Sequence, residues 1–541
     1  MEKLDKKMLF VAWACHNKGY FSYQNWHSPL KAIFKEFVTF DPQEYSYKYG
    51  IKAMNKKFLE VVEKEQPDFI YLWLIYDEFD IETLLKIKEV SPKTRVVNFF
   101  GDDDTKFEIY TRYYSLFVDF PLVSHKLYFH KYKPEGIKNA YYSYGVNTND
   151  FCPKDLEKKY DATFIGTPMA DRAELVTFLK DNGIDIRVFG AGWERHPELK
   201  DIYFGKLSQE EMIGVLNESK INLSFSKNYQ GKPSFKSRVF EASACKSFIL
   251  TEHFKVYHDL LKKDKELVTF KDKKDLLEKV KYYLKNEKER REIEGRAYKK
   301  VLETYSQEAE FRKIFEDILK KEGKENLGKV GLPKLNKKVI EIDETELKLD
   351  EESLSDKVKN SDYVAFTSKR CRISKHRNYF QAYGLKKTGK EISCCDYYLY
   401  SNGIGDYLSF YAEPSFKALK KDRFFSLLDL CQLVVTKDFF VKNLDKFKDF
   451  DDNKEGLFTE ERVSFILSPL IQVRSEKPIV YEEIGGVVLP AFEAPLRASQ
   501  NKGRLFFDLY LYKLLLHSMF GKPYIAKYLY KRLLEKKGKK K

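Results

Sequence analysis

Glu241 stands in "VFEASACKSFILTE", residues 239–252, near the start of a helix built from Ala242, Ser243, Ala244 and Cys245, which runs into an apolar strand. A carboxylate there can do one of two things. It can accept a pair of hydrogen bonds from a vicinal diol, or it can complement the helix dipole, which stabilises by about 0.3–1 kcal/mol. Gly166, Gly190 and Gly192 follow apolar runs. A residue without Cβ at such a point lets a phosphate approach the backbone, and it serves equally as turn chemistry. Earlier in the chain, "CHNKGY" offers His16 and Gly19, and "GDDD" offers Asp102, Asp103 and Asp104. Imidazole titrates near neutral pH, so His16 is a candidate base or acceptor-orienting group, with a plain surface histidine as the alternative. The aspartates can bind hydroxyls or cap the following helix. No further ligand-spaced side chains accompany them, so no metal site is expected.

The elements that must position these residues alternate regularly. "MLFVAWAC" is an apolar strand, and "SPLKAIFKEF" is a helix with Pro29 in its first turn. The unit repeats through "PDFIYLWLIY", "TRVVNFFGDDD", "PLVSHKLYFHKY" and "NAYYSYGV", which defines a first domain over residues 1–152. A second series, residues 153–322, opens at "YDATFIGTPMADRAELVTFLKDNGIDIRVFGAGW" and closes with polar helices ending in "SQEAEFRKIFEDILKKE". Apolar strands alternating with amphipathic helices imply parallel sheets covered on both faces. Two such domains in succession imply a cleft, with ligands beyond the carboxyl ends of the strands.

Composition bounds the rest. A chain of 541 residues with 43% hydrophobic and 16% aromatic content exceeds one core, and it is not disordered despite 33% charged residues. No run approaches the ~20 apolar residues of a membrane span, so a cytoplasmic protein is expected. Seven scattered cysteines read as reduced and structural. The net charge of +15 permits a polyanion partner, but no nucleic-acid module is present.

The order "FIG…DR…FLKDNGIDIRVFGAGW", "FGKLSQEEM…LNESKINLSFS", "SRVFEASACKSFILTEHF" and "KELVTFKDKKDLLEKVKYYLKNEKERREI" resembles the group-1 glycosyltransferases, in particular the spore-maturation-protein-like branch. In the N-terminal half the resemblance rests on "VVNFFGDDDTKF" and "YGVNTNDFCP". It implies a GT-B fold with two Rossmann-like domains, a nucleotide-sugar donor in the second and an acceptor in the first. Glu241 then matches the carboxylate that holds the donor ribose. Without a metal, the departing diphosphate needs cations. Arg238, one turn before Glu241, and Arg172, after the first glycine loop, are the candidates, with Lys236 a third; a surface ion pair is the alternative for each. His16, Arg238 and Glu241 are thus the candidate catalytic residues, and Gly166, Arg172, Gly190, Gly192, Lys236, Arg238 and Glu241 the candidate donor-binding set. No cofactor is expected, and retention of anomeric configuration is the family's habit. Two departures stand out: Pro233 replaces a second glutamate, and Lys246 replaces a glycine, so the turn after Cys245 is expected to do without a left-handed residue.

Residues 323–340 read as a linker. Residues 341–500 read as a smaller α/β domain whose segment "SDYVAFTSKRCRISKHRNYFQAYGLKKTGKEISCCDYYLY" resembles a GT-A glycosyltransferase stripped of its metal-binding acids, since Thr367, Ser368, Lys369 and Arg370 follow Phe366. This implies a catalytically silent unit for acceptor binding or assembly. Residues 501–541 form an amphipathic basic tail, in which Arg504, Asp508, Lys513 and His517 make a narrow polar stripe if helical. It would dock on its own protein or lie in an anionic membrane interface. The expected partners are a nucleotide-sugar donor and a glycan, lipid-linked or protein acceptor; a non-catalytic nucleotide-sugar binder is the competing reading.

Overall fold

The structure is a computed structural model that describes residues 2–18, 22–49, 51–74, 78–124, 126–228, 231, 233–321, 332–369, 371–401, 404–409, 430–450, 453, 457–458, 461–474, 480–484 and 487–491. Gly19, the first half of the expected linker and the whole 501–541 tail lie outside the described residues.

The first sheet is parallel throughout, in the order β2-β1-β3-β4-β5-β6, from strands β1 (Leu4–Ala12), β2 (Phe34–Phe40), β3 (Phe69–Trp73), β4 (Arg95–Phe100), β5 (Phe120–Val123) and β6 (Tyr141–Tyr142). β1 shows why its sequence is an unbroken apolar run. Met8, Phe10 and Ala12 enter one core, while Leu9 and Val11 enter another on the opposite face. The second sheet, also parallel, runs β11-β10-β9-β7-β8 from β7 (Tyr160–Ile165), β8 (Ile186–Phe189), β9 (Ser219–Ser224), β10 (Ile249–Glu252) and β11 (Val268–Phe270). The α/β class and the pair of Rossmann-like sheets are as the sequence indicates.

Five helices matter below: α1 (Ile81–Val90), α2 (Arg172–Asp181), α3 (Arg238–Ala244), α4 (Gln307–Lys320) and α5 (Arg377–Thr388). The sequence groups α4 with the second domain, but it packs on the first sheet. Phe311, Ile314, Phe315 and Ile318, an i, i+3, i+4, i+7 set, are buried against Phe34, Phe69 and Tyr71. At about 1.5–3 kcal/mol per large apolar side chain, that face decides where the helix docks. Its start runs beside the outgoing connection. Val146 N–H donates to Tyr305 O and Gln307 N–H to Val146 O, and a Cβ on Gly145 would fall 2.7 Å from Gln307 Cα.

The third unit is a mixed sheet in the order β12-β13-β17-β15-β18-β14, with β16 beside β15. Its strands are β12 (Val339–Asp343), β13 (Tyr363–Thr367), β14 (Cys371–Ile373), β15 (Ile392–Ser401), β16 (Ile404–Ser409), β17 (Leu433–Thr436) and β18 (Val463–Arg474). Most of its core is shared with the first lobe: one apolar cluster joins Leu9, Ile70, Tyr113 and Phe117 to Phe380, Tyr383, Ile392 and Val435, and a smaller one, Tyr363, Ala365, Ala382, Leu385 and Val434, is its own. Among the described residues no helix is long and apolar enough to cross a membrane, and all seven cysteines are free.

Candidate active site

In the second sheet the chain goes from β7 to β8 on one side and then to β9 on the other, so the crevice where ligands gather lies between the carboxyl ends of β7 and β9. A cavity of about 400 Å³ opens there, lined by Phe164 and Ile165 at the end of β7 and by Leu223, Ser224 and Phe225 at the end of β9. Its other wall is the first lobe: Trp73 at the end of β3, Phe99 near the end of β4 and Gly101 after it, Ser124 after β5, and Ser143 to Val146 after β6. The cavity therefore sits between the two parallel sheets.

Arg172, Lys236, Arg238 and Glu241 all line it. α3 is short and built of small residues, and its buried Ala242 and Ala244 share a core with Ile249 of β10, which holds Arg238 and Glu241 against the sheet end. Arg238 Nη1 lies 2.6 Å from Glu241 Oε2, but off the hydrogen-bond direction. The two are ion partners, the alternative weighed for Arg238, and Arg238 Nε has no hydrogen-bond partner among the described residues. Glu241 is only 5% exposed. Arg172 starts α2 and donates to three carbonyls, Thr167 O at 3.0 Å, Phe225 O at 3.0 Å and Lys227 O at 3.1 Å. It ties the two loops of the crevice together, and its buried Nε is left over. Burial lowers its pKa from the guanidinium value. Lys236 is lowered as well, first by burial and then by the charge of Arg172.

A buried polar atom without a partner costs about 1–3 kcal/mol. The concentration of such atoms on one cavity wall marks a surface completed by a ligand that brings both hydrogen-bond acceptors, for the guanidinium N–H groups, and donors, for the carboxylate.

The remaining sequence candidates go elsewhere. Gly166, Gly190 and Gly192 are not among the lining residues. Gly190, at φ +130°, approaches β7 so closely that a Cβ would meet Gly166 O at 2.3 Å, and Gly192 adopts φ +95° against Pro168; packing between strand ends and turn geometry account for them. His16 is exposed, with Thr39 Oγ1 3.2 Å from its Nδ1. β2 lies on the other side of β1 from β3, so Thr39 draws the imidazole away from the cavity. Pro233 is exposed and bridges to Lys227, also outside it. Lys246 corrects an expectation: it is itself left-handed, φ +51°. Ser247 N–H donates to Ala242 O and Lys246 N–H to Ser243 O, the six-to-one and five-to-two pair of a Schellman turn.

The three aspartates do three different things. Asp102 lines the cavity at φ +41° and occupies a helix cap position without a side-chain cap bond. Asp103 is 1% exposed, accepts from Tyr132 Oη and Thr111 Oγ1 at 2.8 Å each, and is pushed up to about 7 by burial. Asp104 accepts from Asn228 Nδ2 at 2.8 Å, a bond between the lobes. Sequence reasoning missed that contact, together with Trp26, Trp73, Phe99 and Gln307 of the lining. Only the position of Trp73 and Phe99 near strand ends could have drawn attention to them.

Residues 172–316 match a family model described as glycosyl transferase-like. Among solved structures the chain is similar to Anabaena Alr3699/HepE in complex with UDP-glucose, at 10% identity and TM-score 0.43 over 58% of this chain and 100% of that one. It is also similar to a glycosyltransferase from Rickettsia africae ESF-5, at 14% identity and TM-score 0.43 over 59% and 100%. A third such structure is the sucrose-phosphate synthase of Thermosynechococcus elongatus, at 9% identity and TM-score 0.40 over 58% and 100%. No curated protein matches. The segment that carries Arg172, Lys236, Arg238 and Glu241 is glycosyltransferase-like in sequence, on the doubly wound sheet the sequence indicates.

Proposed function

We propose that the protein transfers a sugar from a nucleotide-sugar donor bound by the second lobe to an acceptor bound by the first. The observation that carries this is the gathering, in one cavity between two parallel sheets, of a buried carboxylate, ion-paired to Arg238, and two guanidinium groups whose Nε–H donors have no hydrogen-bond partner among the described residues. Glu241 accepts from the ribose diol, a pair of hydrogen bonds to one charged group. Arg238 and Arg172, with Lys236 beside them, face the diphosphate as negative charge builds on it during cleavage of the sugar–phosphate bond. These cations supply the charge stabilisation of a metal-independent transfer, and retention of configuration is the stereochemical course we assign. The third unit is read as a silent GT-A relative that extends the acceptor side.

The test is thermal stability of the full chain against UDP-, GDP-, ADP- and CMP-linked sugars, with EDTA present, because a ligand bound by the folded state raises its transition. One nucleotide class should do so. Glu241→Gln and Glu241→Ala should weaken that binding by about 10- to 100-fold, and Arg238→Ala should lower turnover by about 100-fold. Unchanged donor affinity in both Glu241 variants overturns the reading. Pro233, outside the cavity where the family carries a sugar-contacting glutamate, favours a second reading in which the donor is bound but not turned over; donor hydrolysis with and without candidate acceptors separates the two.

A further inference from the structure

The first-lobe wall of the cavity differs in kind from the cationic wall opposite. Phe69, Tyr71 and Trp73 alternate along β3 on the face that carries the core shared with α4, as do Val97 and Phe99 on β4. That apolar face does not end at the core. It continues to the carboxyl ends of both strands and out into the cavity. Trp26 is wedged there, stacked on Trp73 with centroids 4.8 Å apart at 27° and tilted against Phe99 at 5.2 Å. Trp26 is 5% exposed, whereas Trp73 and Phe99 are only half-buried. Trp26 is therefore a buttress, and the ring surface left to the cavity belongs to Trp73 and Phe99.

Polar groups ring this floor. Asn25 and Asp102 line the same cavity, as does Gln307, which is 5% exposed and whose Oε1 has no hydrogen-bond partner among the described residues. Flat aromatic surface bordered by amide and carboxylate acceptors matches one class of molecule well. A pyranose ring carries an apolar face of axial C–H bonds and a rim of hydroxyl donors. A lipid chain would leave the Gln307 acceptor unpaired, and a lone serine or threonine hydroxyl would leave the apolar ring surface uncovered.

We propose that Trp73 and Phe99, braced by Trp26, form a pyranose-binding subsite, with Gln307 accepting from a sugar hydroxyl. This rests on the two-lobed transferase reading and deepens it: the acceptor is a sugar residue of a glycan, bound ring-face-down on the first lobe. Trp73 and Gln307 are positioning residues in this account.

The experiment uses the full chain with methyl β-D-glucopyranoside and methyl β-D-galactopyranoside as probes, and N-acetylserine methylamide as the ring-free control, observed by saturation-transfer NMR. At least one pyranoside should show transfer strongest at the axial C–H protons of a single face, and the control none. Trp73→Ala should weaken that binding roughly tenfold or more, Trp73→Phe should restore part of it, and Gln307→Leu should weaken it severalfold, while the nucleotide-induced thermal shift stays that of wild type in all three. That unchanged shift is also the check that the variants fold. Absence of transfer to either pyranoside, or transfer unaffected by Trp73→Ala, overturns the subsite. A protein that binds nucleotide sugars but no pyranoside loses this inference and keeps the donor reading. One that binds pyranosides through Trp73 but no nucleotide sugar keeps the subsite and loses the transferase.

Discussion

Against the third unit the first lobe loses its boundary: Phe380 of α5 lies edge-on to Phe117 at 5.4 Å, and Tyr383 Oη donates to buried Glu135, which also pairs with Arg112 at 3.0 Å and Lys387 at 3.3 Å. Glu82 of α1 likewise accepts from Ser374. Against the second lobe the same domain offers the walls of a cavity, polar links at its edge, Asp104 with Asn228 at 2.8 Å and Lys126 with Asp259 at 4.0 Å, and an apolar contact confined to the outgoing connection, where Tyr144 meets Phe235 at 4.1 Å and Phe240 at 5.3 Å. The difference teaches which joint carries chemistry. An interface filled by side chains fixes orientation and leaves no room for substrate. One that closes around a cavity and packs only at the connecting segment leaves its remaining affinity for a ligand. The third unit is part of the first lobe's scaffold, and the donor lobe is the separable partner.

The strongest way to break this comparison is at Gly384, where a Cβ would stand 2.3 Å from Tyr113 Oη. Gly384→Ala should cost about 1–3 kcal/mol by overpacking, and denaturant unfolding followed by hydrogen exchange should show the first lobe and the third unit destabilised together. Adding Tyr113→Phe, which removes the oxygen that clashes, should recover part of the loss. If the third unit alone loosens while the first-lobe sheet keeps its protection, the shared core is not one cooperative body.

A smaller effect probes the connection between the lobes. Glu310 of α4 accepts from Tyr144 N–H at 2.8 Å, and burial pushes its carboxyl up to about 7 from an ordinary 4.5. The folded state then holds a proton that the unfolded state has released, so stability falls as pH rises from about 4.5 to about 7 and stays reduced above that. Glu310→Gln keeps an acceptor for Tyr144 and removes the titration. At pH 8.5 it should be more stable than wild type by on the order of 1 kcal/mol, with the gain gone at pH 4.5. Asp103 is raised for the same reason but lies within the first lobe, so Asp103→Asn is the control for a shift unrelated to the connection.

Much of this architecture can be read from residue patterns, and the limits are physical. Strands buried on both faces give continuous apolar runs, as from Met8 to Ala12, so both parallel sheets are legible. Glu241, Arg238, Arg172 and Lys236 are legible as a group because their order survives in the resemblance, and the fold brings all four to one cavity. The glycines mislead: Gly190 is required by the approach of one strand end to another, which no local pattern distinguishes from a phosphate loop. Trp73 and Phe99 are hidden for the opposite reason, since a residue that continues the core alternation reads as core until the strand is seen to end at a cavity. His16 follows β1, and only the sheet order shows that its neighbour Thr39 lies away from the crevice. Nor does α4 announce its partner: its amphipathic face fits either sheet, and contact with Phe34 and Phe69 decides it.

The mildest change sharpens the comparison from the other side. Asn228→Ala removes the 2.8 Å bond to Asp104 that joins the two lobes at the cavity. A single hydrogen bond of this kind nets about 1 kcal/mol when it is well ordered, and this one is partly open to water, which supplies Asp104 with a replacement. Overall stability should therefore drop by less than about 1 kcal/mol, below the loss from Gly384→Ala. The effect should appear instead in the lobes' relative motion, as faster hydrogen exchange in the segments around Asp104 and Asn228, reversed by the bound nucleotide sugar that bridges the same gap. A loss equal to that of Gly384→Ala would make the donor lobe as firmly fixed as the third unit, and the division of the molecule into a scaffold and a separable partner would fail.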